Sequence, residues 1–172
     1  LPRNRLRQTQ LPRQRRANSS NEHSAPHIRE KLATSRFVGG WHSTNLLVND
    51  IETEKAALQT FIDMTKAAGG DHINACECSN TVHGSEGTPV NDRPIMTEEQ
   101  WARFSEGYEV LSKFAFVQGI KMGYHHHMGT IIESADDIDR FMRMAGPYTR
   151  LLLDTGHCTF GGANPESVAA KY

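Results

Sequence analysis

The sequence predicts an α/β fold in which parallel strands alternate with helices. Three observations lead there. Four short apolar runs are each followed by a helix-starting cap, no hairpin signal joins any two of the runs, and the polar clusters fall after a run and before the next helix. Strands joined in this way need right-handed crossovers, and their C-terminal ends gather on one side of the sheet. Parallel barrels and open α/β sheets carry their active sites on that side.

The first unit opens with Phe37-Val38-Gly39-Gly40-Trp41-His42, a strand whose glycines stand where a backbone or ligand approaches closely. Ser43 to Asn49 form the loop after it. Asn49 or Asp50 then caps a helix with Ile51, Leu58, Phe61, Ile62 and Thr65 on one stripe, and Gly69-Gly70 ends it. In the second unit His72 to Cys78 is a strand of weaker propensity that runs out in Glu77, Ser79 and Asn80. A loop rich in Gly, Pro and Asn follows from Thr81 to Met96; loops of that length act as covers or mobile segments. It carries His83, which is placed to close over a substrate. Thr97-Glu98-Glu99-Gln100 is a capping box, and Trp101, Phe104, Tyr108, Leu111 and Phe114 mark the helix that closes at Gly119.

The third strand is Lys121-Met122-Gly123-Tyr124 running into His125-His126-His127-Met128-Gly129-Thr130. Alternate side chains of an extended chain share a face, so His125 and His127 point one way and His126 the other. Ser134-Ala135-Asp136-Asp137 caps a helix carrying Ile138, Phe141, Met142 and Ala145, stopped by Gly146-Pro147. The fourth strand is Arg150 to Asp154, with Leu151 and Leu153 on one face and Leu152 and Asp154 on the other. Asn164-Pro165-Glu166 starts the last helix.

Each polar candidate has a plain structural reading beside the chemical one. His125 and His127 are candidates for metal binding or proton transfer, against a hydrogen-bonded strand end. Asp154 is either a cation partner or the cap of the turn that follows. His157 joins that group, while His126 reads as structural support. Glu77 is an acid–base group, a metal neighbour or a salt-bridged loop carboxylate. Trp41 and His42 either wall a sugar-like ring or pack in the core.

The chain has 172 residues, 37% of them hydrophobic, and a formal net charge of -1, enough to bury a core within one domain. The charge is divided. Through Arg36, nine Lys and Arg face two Glu, giving +7; from Phe37 onward ten face eighteen acidic residues, giving -8. Residues 1–34 place Arg3, Arg5, Arg7, Arg13, Arg15 and Arg16 among Gln, Asn, Pro and Ser with no apolar period, and read as a basic disordered or non-native segment ahead of a domain at 35–172. No aromatics alternate with those arginines, which argues against a nucleic-acid arm. No apolar run approaches eighteen residues and no signal-peptide core follows the first arginines, so no membrane partner and a cytoplasmic location are expected. Cys76, Cys78 and Cys158 match neither a disulfide framework nor C-x-x-C and read as reduced thiols.

From about Phe37 to Tyr172 the sequence resembles inosose dehydratase, a family of the xylose-isomerase-like TIM-barrel superfamily that acts in myo-inositol catabolism. The likeness is carried by Gly39-Gly40-Trp41-His42-Ser43, Glu77-Cys78-Ser79-Asn80-Thr81-Val82-His83-Gly84, Tyr124-His125-His126-His127-Met128-Gly129-Thr130 and Leu151-Leu152-Leu153-Asp154-Thr155-Gly156-His157. The first 34 residues are expected to match nothing in that family.

The resemblance implies a partial (β/α) TIM barrel of about four strand–helix units, equivalent to family strands three to six. It also implies a hydro-lyase that removes water from 2-keto-myo-inositol with a divalent cation, Mn2+ or Co2+. On the family pattern Asp154 is a metal ligand, His127 or His125 stands where the fifth-strand ligand belongs, and His157 touches a substrate oxygen. The catalytic candidates are His125, His127, His157 and Glu77, and Trp41, His42 and His157 face the cyclitol, the small-molecule partner. The resemblance allows homo-oligomers of a full-length protein. Two family strands that bring further metal ligands lie beyond Tyr172 on this alignment, so a fragment of impaired activity is expected. A sugar isomerase or epimerase of the same superfamily and a non-catalytic truncated product remain as alternatives.

Overall fold

A computed structural model describes residues 38–172; the basic segment expected at 1–34 and Phe37 lie outside the described residues. The elements are β1 (Gly39–Thr44), α1 (Ile51–Ala67), β2 (His72–Glu77), α2 (Glu98–Phe116), β3 (Lys121–His125), α3 (Ala135–Met144), β4 (Arg150–Leu152), α4 (Thr155–Phe160) and α5 (Pro165–Lys171). The four strands form one parallel sheet in the order β1-β2-β3-β4. The expected α/β class and partial barrel are present. No described helix is long and apolar enough to cross a membrane.

Local chemistry sets the helix starts. Asp50 accepts the Thr53 amide at the head of α1, and complete capping boxes open α2 at Thr97 and Gln100 and α3 at Ser134 and Asp137. Three strands differ from expectation: β1 runs on through Ser43 and Thr44, which read as loop. β3 stops at His125, leaving residues 126–134 irregular, and β4 stops at Leu152. The chain turns at once into α4, a short helix absent from the sequence reading because Gly156 in its first turn lowers its propensity.

Strand pairing sorts residues between two faces. Partners in parallel register point the same way, so His42, Ala75, Tyr124 and Leu151 form one layer, and Ser43, Cys76, His125 and Leu152 another. The first layer faces the helices. There Ile73, Met122 and Tyr124 meet Leu58, Ile62, Phe104, Tyr108, Leu111 and Phe141 in a continuous buried core. The opposite face is open, and a cavity of about 520 Å³ lies against its lower half, lined by His72, Asn74, Lys121, Gly123, Arg150 and Leu152. Gly39 answers to the close approach expected of it: a Cβ there would fall 2.1 Å from the His72 carbonyl oxygen.

Candidate metal centre

The open face carries a group of imidazoles at the strand ends. His125 closes β3, and His127 follows two residues on, its ring centroid 5.7 Å from that of His125. His157 comes from the first turn of α4, with its ring 4.0 Å from His127 and 5.3 Å from His125. One ligand nitrogen from each of the three lies within 4.8 Å of the others. Zinc holds imidazole nitrogens at about 2.0–2.1 Å, which brings tetrahedral neighbours to about 3.4 Å of one another, so small ring rotations would close the set.

Asp154 serves this group twice. Its Oδ1 accepts the His157 amide at 2.9 Å and caps α4, while its Oδ2 lies 3.9 Å from His125 Nε2 and 3.8 Å from His157 Nε2. The capping and the cation-facing readings of Asp154 thus use different oxygens of one carboxylate. The His157 amide bond, followed by the nearby imidazoles, holds the Asp154 carboxyl below its usual range. Burial, reinforced by His157, pushes His125 down to about 4, and burial chiefly lowers His157 as well. At neutral pH the site therefore offers an ionised carboxylate and imidazoles with free lone pairs, the protonation state a metal needs. His125 Nε2 is buried with no hydrogen-bond partner among the described residues. An orphaned nitrogen aimed into such a group fits a divalent cation of the kind that prefers nitrogen and oxygen ligands.

The surrounding residues divide by face. Trp41, on the open face and 42% exposed, sets its ring edge-on 4.9 Å from His125 and donates from Nε1 to Ser43. His42 does not join it. Successive strand residues point to opposite faces, and His42 is buried on the helix side against Phe61, 5.3 Å between centroids. The wall of a substrate pocket expected from Trp41 and His42 together thus reduces to Trp41.

Glu77 is fully buried, and its oxygens accept the Thr44 hydroxyl at 2.9 Å and the amides of Leu46 at 2.9 Å and Ser79 at 3.0 Å. It binds together the loops after β1 and β2 and has no cationic partner among the described residues, unlike a salt-bridged loop carboxylate, and burial raises its pKa against those bonds. His126 is fully buried, and its Nε2 accepts the Asp154 amide at 3.3 Å, linking the ends of β3 and β4. Cys76, Cys78 and Cys158 are free thiols.

His83 reaches the group from the loop after β2. Its ring lies 4.8 Å from that of His127, and its Nδ1 shares a hydrogen bond with the Thr81 hydroxyl. Burial first, then His127 and His157, lowers its pKa. The loop is tied down at both ends, so the expected cover is a fixed one. Val82 and Thr81 bond to the Gly129 carbonyl, and Arg93 bonds to Asp137. Arg93 and Glu133 escaped the sequence reading because they lie about 40 residues apart along the chain; a single basic residue in that loop was the signal available.

Parallel strands that empty imidazoles and a carboxylate from one end define a barrel-type α/β protein with a strand-end site. The chain belongs to the xylose isomerase-like TIM barrel family, whose model matches residues 11–172. That match begins within the segment read as lying ahead of the domain at 35–172. An inosose dehydratase of Clostridium tetani is 33% identical over 144 residues, 83% of this chain and 48% of the relative. The chain spans about half the length of the curated relatives it matches. Among solved structures, the probable 3-DHS dehydratase AsbF from Bacillus anthracis superposes with a TM-score of 0.64 at 12% identity, covering 85% of this chain and 52% of that one. The IOLI protein with a binding zinc atom gives 0.58 at 18% identity, covering 86% and 52%. At these identities the structures speak for the fold.

Proposed function

We propose that this chain carries part of the active site of a hydro-lyase that removes water from a 2-keto cyclitol, 2-keto-myo-inositol, with a divalent cation. The observation that carries the reading is the meeting of His125, His127, His157 and Asp154 at the strand ends. Likeness to inosose dehydratases supports the substrate, and the IOLI structure, a protein of the same fold, holds a zinc atom. Mn2+ or Co2+ is the cation implied by the family resemblance.

His125 and His127, projected from one strand end, and the Asp154 carboxylate would hold the cation. What a divalent cation supplies when bound there is polarisation of the substrate ketone. Trp41 offers an exposed aromatic surface beside His125 on which a cyclitol ring packs. His157, neutral at pH 7 and beside the same carboxylate, takes the proton from the carbon next to the ketone. It returns that proton to the departing hydroxyl, so that one proton and one hydroxide leave as water. Glu77, among the catalytic candidates, acts by holding the β1 and β2 loops in place.

Because the chain spans about half of its relatives' length, weak turnover is expected. The test is product analysis after incubating the 172-residue chain with Mn2+ or Co2+ and either 2-keto-myo-inositol or ketohexoses. Slow, cation-dependent water loss from the keto-inositol is the expected result. Epimerised or isomerised ketohexose would transfer the chain to the isomerase class of the same superfamily.

A further inference from the structure

His127 sits on irregular backbone just past the end of β3, where no strand pairing fixes it. Its segment is closed on itself by the His127 amide bonding to the Ile132 carbonyl at 3.1 Å and the Thr130 hydroxyl to the His127 carbonyl at 2.7 Å. Ile131 and Ile132 seat that closed segment in the core, and the loop after β2 adds the polar ties that reach its Gly129 end. At the loop's start, the Val82 amide and the Thr81 hydroxyl donate to the Gly129 carbonyl at 3.0 and 2.7 Å. Gly129 has φ +73°, and a Cβ there would meet the His83 amide nitrogen at 2.9 Å, so the two backbones touch.

At the loop's far end Arg93 reaches across the same segment. Its Nη2 donates to Asp137 Oδ2 at 2.8 Å, its Nη1 to the carbonyls of Thr130 and Ile131 at 3.3 and 3.5 Å, and its Nε lies 3.5 Å from Glu133 Oε1. Glu133 passes the restraint on, because its other oxygen accepts the Gly129 amide at 2.6 Å. Asp137 Oδ2 also accepts the amides of Glu133 and Ser134. The Arg93, Glu133 and Asp137 side chains are 14%, 14% and 17% exposed, so these ionic bonds are largely shielded from water. A planar fork of five donors is what such a set of acceptors on two sides requires, and a lysine cannot reproduce it.

We propose that Arg93 is a positioning residue for the strand-end site: through Glu133, Asp137 and the Gly129 backbone it fixes the segment that aims the His127 ring at His157 and His83. The inference rests on the reading of His127 as a cation ligand. A residue that holds a ligand from behind sets its affinity for the ion without touching it.

The test compares the full chain with Arg93→Ala, Arg93→Lys and, as a control on a remote surface pair, Arg140→Ala. Arg140 pairs with Glu98 and lies over the Trp101 ring at 4.6 Å. Two quantities are read: Co2+ affinity from the visible spectrum, and hydrogen exchange of the His127 and Gly129 amides without the ion. Arg93→Ala is expected to weaken Co2+ binding by about 10- to 100-fold and to speed exchange at both amides. Arg93→Lys should recover part of each loss, and Arg140→Ala should change neither. Should Arg93→Ala not fold, Arg93→Lys carries both measurements. Exchange at His127 and Gly129 that is unchanged by loss of the guanidinium overturns the inference, as does Co2+ affinity equal to the parent's. A parent chain that binds no Co2+ sinks the cation reading instead, and the positioning role then stands or falls on the exchange alone.

Discussion

On the helix side of β3, Tyr124 is fully buried and meets Phe104 and Tyr108 edge-on, with Phe141 4.6 Å away. One residue later His125 turns to the open face and meets Trp41, His127 and His157. The same strand thus feeds an aromatic core and a cluster of imidazoles. In the core, ring contacts offset the cost of ordering the side chains. In the cluster, four imidazoles crowd together, burial drives down the pKa values of His83, His125 and His157, and the buried His125 Nε2 has no hydrogen-bond partner among the described residues. The first arrangement is complete in itself, whereas the second becomes favourable when a ligand enters. A folded chain tolerates such local cost at a functional site when the face behind it is well packed.

Substitutions on the two faces should separate stability from binding. Phe104→Ala removes a fully buried ring from the core and is expected to destabilise the chain by about 3–5 kcal/mol in urea unfolding. The cation, when bound, should still go to the same residues. His127→Ala is the converse. Stability without the ion should move by less than about 1 kcal/mol, since only a half-buried ring is lost, whereas cation affinity should fall about 100-fold, close to 2.7 kcal/mol. His157→Ala sharpens the contrast within the cluster: cation binding persists and keto-inositol turnover disappears. If it abolishes binding as fully as His127→Ala, His157 is a third ligand and not the proton carrier.

Acid should expose the cost of burying imidazoles at the end of β3. His125 and His126 are each lowered by burial, and next by His157, from 6.5 to about 4. Unfolded chains bind these protons at pH about 6.5 and the native chain near 4, so the unfolded state holds more protons between those values. Their contribution to stability is complete above pH 6.5 and is lost as pH falls toward 4. Urea midpoints at pH 7.5 and 5 should show a clear decline; equal midpoints would mean that the rings titrate normally. The smallest expected effect belongs to the core. Tyr108 buries a hydroxyl without a hydrogen-bond partner among the described residues, so Tyr108→Phe should change stability by less than about 1 kcal/mol, or raise it.

Much of this was legible in the sequence because it is local. The boxes at Thr97–Gln100 and Ser134–Asp137 announce their helices, and alternation puts His125 and His127 on one side. The same parity separates Trp41 from His42, a consequence the pairing of the two as ring-facing residues overlooked. Helix α4 was missed because Gly156 weakens its first turn, while Asp154, its cap, also read as a cation partner; the carboxylate uses one oxygen for the first role and turns the other toward His125 and His157. The bonds from Arg93 to Glu133 and Asp137, and the tilted ring contact of His83 with His127, join positions about 40 residues apart. No local pattern encodes such pairs; they appear once the chain is folded.

The most direct test of the strand-end site is a titration of the 172-residue chain with Co2+, followed by visible absorption and by the ring resonances of His125, His127 and His157. Saturation at one ion per chain, with the His125 and His127 rings perturbed together and the signal lost in Asp154→Ala, is the expected result. Binding that leaves those two rings untouched, or no binding at all at neutral pH, would contradict it.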